Sequence, residues 1–175
     1  MLNEHMPYIC CTQKLAKELG TKLSFPLKES GGLGNWYANL LLIDRRKCVL
    51  FTHEQTLYSV FIPGLKKPEF QCLDDVFVQA LFKQLRTERF TQGQIERILE
   101  EYDGKIKYAK TDNRSLLGSM NDLAFHVNDV VQSHQNLTHV DVFSLARKLN
   151  NIPFKAIGFE YPETLFRLRV GQYTH

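Results

Sequence analysis

The chain has 175 residues, 43% of them hydrophobic and 23% charged, with a formal charge of +3. That is enough chain for one globular domain, 1–175, with a substantial core. It excludes a collagen-like or disordered composition, and +3 falls short of the strong positive field of a dedicated DNA-binding domain. The longest apolar runs, "LLLI" and "SVFI", are too short to span a bilayer, and "MLNEHMPYICC" lacks the pattern of a signal peptide. A cytoplasmic protein is the expectation.

"YICC" reads as a strand, and "CTQKLAKELG" as a helix capped by Thr12 and stopped by Gly20. Adjacent Cys10 and Cys11 point to opposite faces of such a strand. With Cys48 and Cys72 they form no C-x-x-C pair, so reduced thiols packed as small hydrophobes are expected, with no metal site. "SFPLKESGGLGN" marks a loop, and the spacing of Gly31, Gly32 and Gly34 does not fit a phosphate cradle.

Three β runs follow: Trp36 to Ile43, Lys47 to Thr52 and Thr56 to Ile62. Their connections are too short for parallel pairing, so they form an antiparallel meander. In the first run Trp36, Ala38, Leu40 and Leu42 face one way and Tyr37, Asn39, Leu41 and Ile43 the other. A strand apolar on both sides is covered on both sides.

Helices are expected over "LDDVFVQALFKQL", over "TQGQIERILEEY" with a Thr91–Gln94 capping box, from about Ser115 to Ser133, and over "DVFSLARKLNN" with Asp141 as cap. "GKIKYAKT" reads as a strand with one wet face, and "FKAIGFEY" and "TLFRLRV" as a final pair of strands. The sum is an α+β domain: an antiparallel or mixed sheet with a three-stranded meander, covered by four to five helices.

The chemistry concentrates in "RSLLGSMNDLAFHV". On a helical wheel Leu116, Leu117, Met120, Leu123, Ala124, Val127, Val130 and Val131 make the core face. Ser115, Ser119, Asp122 and His126 fall in a second stripe, where Asp122 and His126 are four apart and can meet. Two readings fit. In one, Asp122 and His126 are an acid–base pair, with Arg114, Ser115, Ser119 and Asn121 binding a ligand. In the other the stripe is structural, and Gly118 admits a close neighbour. Asn39 needs a polar partner, for which an Arg or Ser of this helix is a candidate. Arg45 and Arg46 at a hairpin tip are candidates for phosphate contact. Tyr37, Phe51, Tyr58 and Phe61 are either a base-stacking platform on an open sheet face or core.

The stretch from Trp36 to Lys47 (W-x-A-N-L-x-x-x-D-R-R-K) and that from Arg114 to Asp122 (R-S-x-L-G-S-M-N-D) together resemble a family of small bacterial proteins known only as a domain of unknown function. The resemblance implies a bacterial, cytosolic domain and supplies no activity, cofactor or catalytic residue. No metal, nucleotide or nucleophile motif is present. The leading expectation is therefore a non-enzymatic binding or regulatory module that contacts nucleic acid or a protein partner, without a cofactor or a membrane. The alternative is a small hydrolase or nuclease using Arg114, Asp122 and His126.

Overall fold

The computed structural model describes residues 6–27 and 32–172; residues 28–31, including Gly31 of the glycine-rich stretch, lie outside them. Five strands are described: β1 (Tyr8–Cys11), β2 (Trp36–Ile43), β3 (Arg46–His53), β4 (Ser59–Ile62) and β5 (Lys107–Lys110). They form one mixed sheet in the order β4-β3-β2-β1-β5. The meander β2-β3-β4 is antiparallel, as its short connections require, while β1 runs parallel to both β2 and β5.

The helices are α1 (Gln13–Leu19), α2 (Lys67–Phe70), α3 (Leu73–Thr87), α4 (Gln92–Tyr102), α5 (Arg114–Ser133), α6 (Val142–Leu149) and α7 (Pro162–Gln172). The result is an α+β fold with a buried core on each side of the sheet. On one side Trp36, Ala38, Val49 and Phe51 of the sheet meet Leu15 of α1, Leu73 and Phe77 of α3, Ile98 and Tyr102 of α4 and Phe166 of α7. On the other, Tyr37, Cys48 and Leu50 meet Leu116, Met120, Leu123 and Val127 of α5 and Leu145 and Leu149 of α6. Alternation along β2 thus feeds both cores, and Cys10 and Cys11 divide between them. Tyr37, Phe51, Tyr58 and Phe61 are all buried, so they form no open stacking platform.

The β2–β3 hairpin is tighter than its sequence suggests. Arg46 pairs with Ile43, leaving Asp44 and Arg45 as a two-residue turn with φ of 50° and 61°. That left-handed geometry matches the twist of the strands but usually selects Asn-Gly. Asp44 is held in place by accepting the Leu137 N–H at 2.6 Å.

Helix capping follows the sequence at two of three expected positions, Thr91 and Asp141, and α5 has a further cap in Asn113. Thr91 and Gln94 form the capping box of α4, Asn113 accepts from Leu116 N at α5, and Asp141 accepts from Phe143 N and Ser144 N at α6. The Ser144 hydroxyl, which donates to Asp141 at 3.1 Å, and then those backbone bonds hold the Asp141 carboxyl below its ordinary range. The exception is Thr12, whose hydroxyl makes no cap bond at α1 and turns to Asn39.

The final segment departs from expectation. "TLFRLRV" alternates apolar and charged residues like a strand, yet it lies in α7, which buries Pro162, Phe166 and Val170. The overlooked signals are Pro at the first helical position, Glu163 in the first turn and the four-residue spacing of Phe166 and Val170. "FKAIGFEY" supplies a 3-10 turn at Lys155–Ile157 and one antiparallel bridge, Phe154 to Glu160.

Both sheet edges have cover. Lys110 N–H of β5 bonds to Ser24 C=O at 2.8 Å, so the extended chain after α1 lies along that edge. On β4, the Asn150 side chain accepts the Ser59 N–H at 2.7 Å and donates to the Ser59 C=O at 2.9 Å. Gln84 Nε2 donates to the same carbonyl at 2.9 Å.

Candidate binding crevice

The parallel strands β1 and β5 end together, with Cys11 opposite Lys110. Beyond them the chain leaves on opposite faces. From β1 it enters α1, whose Leu15 joins the aromatic core; from β5 it enters α5, whose Leu116 and Met120 join the other core. Two helices diverging from adjacent parallel strands leave a crevice at the carboxyl ends, which is where open α/β sheets bind ligands.

A cavity of about 630 Å³ opens there, lined by Cys11, Gln13, Lys22, Phe25, Lys110 and Thr111 among others. Phe25 is 64% exposed. The Lys110 ammonium stands 5.5 Å from the centre of its ring, within cation–π range. Lys22 adds a second positive charge. The Cys11 thiol in the wall is pushed up to about 12 by burial, so at neutral pH it is an inert lining group.

The floor beside the crevice is tied by two bonds across the strand ends. Thr12 Oγ1 donates to Asn39 Oδ1 at 3.1 Å, joining the residue after β1 to β2. The Tyr37 hydroxyl donates to Asp112, joining β2 to the β5–α5 connection, and accepts the Asp112 N–H at 3.4 Å. Burial, together with that acceptor, pushes the Tyr37 phenol up. The polar partner expected for Asn39 from α5 is therefore Thr12, which the sheet register places beside it: Thr12 N–H bonds to Ala38 C=O at 3.0 Å.

The residues singled out from the sequence disperse. Arg114 and Ser115 lie exposed in the first turn of α5, after the connection that Tyr37 holds. Ser119 is buried and donates to Ser115 C=O at 3.4 Å. Asn121 and Asp122 are exposed, and His126 is half-buried. Among the described residues no hydrogen bond or ion pair joins Asp122 to His126; the imidazole instead meets the edge of Phe125, ring centres 6.1 Å apart. Gly118 faces open space, with nothing within 4 Å of where a Cβ would stand, so the close neighbour expected there does not exist. Arg45 and Arg46 are exposed at the β2–β3 hairpin. Among the described residues no group of three or more His, Cys, Asp or Glu side chains could hold a metal ion.

Lys22, Phe25 and Lys110 were missed in the sequence. Each is ordinary in its own segment, and only the pairing of β5 with β1 and the Lys110–Ser24 backbone bond bring them together.

A family model described as a domain of unknown function, DUF6933, covers residues 8–165, and the chain belongs to that family. No curated protein and no solved structure matches it. The matched span contains the whole sheet and the crevice. Among the described residues no helix is long and apolar enough to cross a membrane.

Proposed function

We propose that this protein is a non-enzymatic cytosolic binding module whose ligand enters the crevice at the carboxyl ends of β1 and β5. The ligand carries negative charge and a flat apolar part, as does a nucleotide, free or within a short single strand. The observation that carries this reading is the grouping of Lys22 and Lys110 with the exposed Phe25 ring around one cavity. Ammonium groups engage phosphate, and an exposed aromatic ring stacks on a base without selecting its identity. The raised Cys11 thiol gives the crevice no nucleophile at neutral pH, which favours binding over catalysis. Four unpaired cysteines suit a reducing compartment.

The test is a titration with adenosine monophosphate and with a short oligothymidylate, followed by backbone amide shifts at several salt concentrations. Shifts are expected at Lys22, Phe25 and Thr111, with oligonucleotide affinity falling as salt rises. Phe25→Ala removes a stacking partner worth about 1–3 kcal/mol, and Lys110→Ala lowers the salt dependence. Binding of neither probe, or binding indifferent to both substitutions, overturns the reading.

A further inference from the structure

A second cavity, of about 750 Å³, lies on a different part of the molecule, between the ends of α3, α6 and α7. Glu88 closes α3 at its carboxyl end, where the last helical carbonyls concentrate negative charge. Arg89 follows with φ of 60°, and the chain turns back so that Phe90 N–H bonds to Leu85 C=O at 3.0 Å. The opposite wall is the last turn of α6, with Arg147 and Lys148, and the first turn of α7, with Glu163.

The charges there are unevenly matched. Glu163 is fully engaged: its Oε1 accepts from Arg167 Nε at 3.2 Å and Nη2 at 3.0 Å, and its Oε2 from Asn151 Nδ2 at 3.1 Å. Arg167 is also stacked 3.9 Å from the centre of the Phe90 ring and donates to the Glu88 carbonyl. Arg89, Arg147 and Lys148 are exposed and form no ion pair among the described residues.

Glu88 does not balance them. Its Oε2 accepts the Tyr58 hydroxyl, while its Oε1 is buried with no hydrogen-bond partner among the described residues. Burial raises its carboxyl to about 7, and the neighbouring Glu163 charge pushes the same way, against the Tyr58 hydrogen bond and the charges of Arg167 and Arg147. Around it stand Tyr58 before β4, Arg89 after α3, Arg147 and Lys148 on α6, and Glu163 and Arg167 on α7. Near neutrality the carboxyl exchanges a proton, and Oε1 is the oxygen left to carry it.

We propose that this cavity binds a small dianionic oxyanion, free or borne as an ester on a small organic molecule, with Arg89, Arg147 and Lys148 supplying charge and Glu88 in the wall governing, by its own charge, when the anion is accepted. An ionised Glu88 repels the same ligand, so binding is linked to proton uptake. The site is independent of the crevice at the strand ends.

Sulfate is the probe for proton linkage, because it stays a dianion across the range. Amide resonances are followed during a sulfate titration at constant ionic strength, at pH 6 and pH 8. Shifts are expected at Arg89 and from Arg147 to Asn151, with those of Lys22 and Thr111 unchanged. Affinity falls about tenfold from pH 6 to pH 8, the change in the protonated fraction of a group titrating near 7. Glu88→Gln keeps the pH 6 affinity and loses the pH dependence. The paired substitution Arg147→Ala with Lys148→Ala, both on exposed side chains, weakens binding at least tenfold. Glycerol 3-phosphate compared with sulfate at about pH 7.5, where both are mainly dianions, separates the two sources: tighter binding than sulfate assigns the site to an ester, equal or weaker binding to the free anion. No shift around Arg147 at tens of millimolar sulfate overturns the proposal, as does a pH dependence that survives Glu88→Gln.

Discussion

The two sides of the sheet are built from different materials. One is aromatic: Trp36 lies edge-on to His53, Tyr58, Phe77, Tyr102 and Phe166, and Tyr58 stacks on Phe166 at 4.3 Å. The other is mainly aliphatic, made by Leu, Met and Val side chains of α5 and α6 against β2 and β3. Ionisable groups are shifted on both sides, with Cys10, Tyr37 and Cys48 raised on the aliphatic one, but the lowered His53 and the raised Glu88 lie on or beside the aromatic one. His53 is fully buried, bonded through Nε2 to Leu33 C=O at 2.7 Å, while its Nδ1 accepts the Thr56 N–H at 3.3 Å. Desolvation lowers it to about 4, so it is neutral. Large flat rings close space around polar atoms without offering them partners, and that excludes water from His53, Tyr58 and Glu88 alike. The regular helix α5 keeps its polar residues mostly wet.

The comparison is tested most severely by truncation. Trp36→Ala removes the ring that five others pack against and should cost about 3–5 kcal/mol, while Leu123→Ala on the aliphatic side costs about 2–5 kcal/mol. Urea unfolding measures both; a Trp36 variant as stable as wild type would contradict the central place given to that ring.

Next in size is an opposed pair of pH effects. His53 binds its proton more weakly folded than unfolded, so its contribution to stability is lost as pH falls from about 6.5 toward 4. The shift corresponds to about 3 kcal/mol. Glu88 binds its proton more tightly folded, so its contribution is present below about 4.5 and lost as pH rises through about 7. The two slopes oppose one another between pH 4.5 and 6.5. Relative to wild type, Glu88→Gln should become acid-sensitive across that window and His53→Gln should become less stable toward neutral pH. Denaturation profiles that stay parallel in all three proteins would show that neither group titrates abnormally.

The smallest effect lies on the aliphatic side. Gly118 is a helical glycine with open space beyond it, so Gly118→Ala should stabilise by about 0.5–1 kcal/mol. A loss of stability in thermal unfolding would mean that α5 meets a neighbour at that point.

Much of this architecture was legible in local pattern. The two-sided apolar register of β2 announced a sheet covered on both faces, and Thr91 and Asp141 marked where helices begin. The α7 segment was not legible, because alternating Arg and Leu imitate a strand and only Phe166 and Val170 reveal the buried stripe. The site residues were less legible still. Asp122 and His126 have suitable spacing on one helix, yet nothing in the structure drives them together. The perturbed behaviour of Glu88 comes from burial and from the Glu163 charge, which other segments of the chain bring around it. Lys110 meets Phe25 only because β5 joins β1 at the sheet's far edge.

The Asn150 side chain gives the Ser59 backbone the same donor and acceptor that a neighbouring strand would, and the Ser24 segment does part of this for β5. An extended peptide arriving at either border finds those hydrogen-bonding positions already taken. Recruitment by strand addition is thereby discouraged, as is the stacking of one molecule's sheet onto another's during crowded synthesis. What the fold leaves open to visitors is its hollows, and those are chemically selective where a bare strand edge would not be.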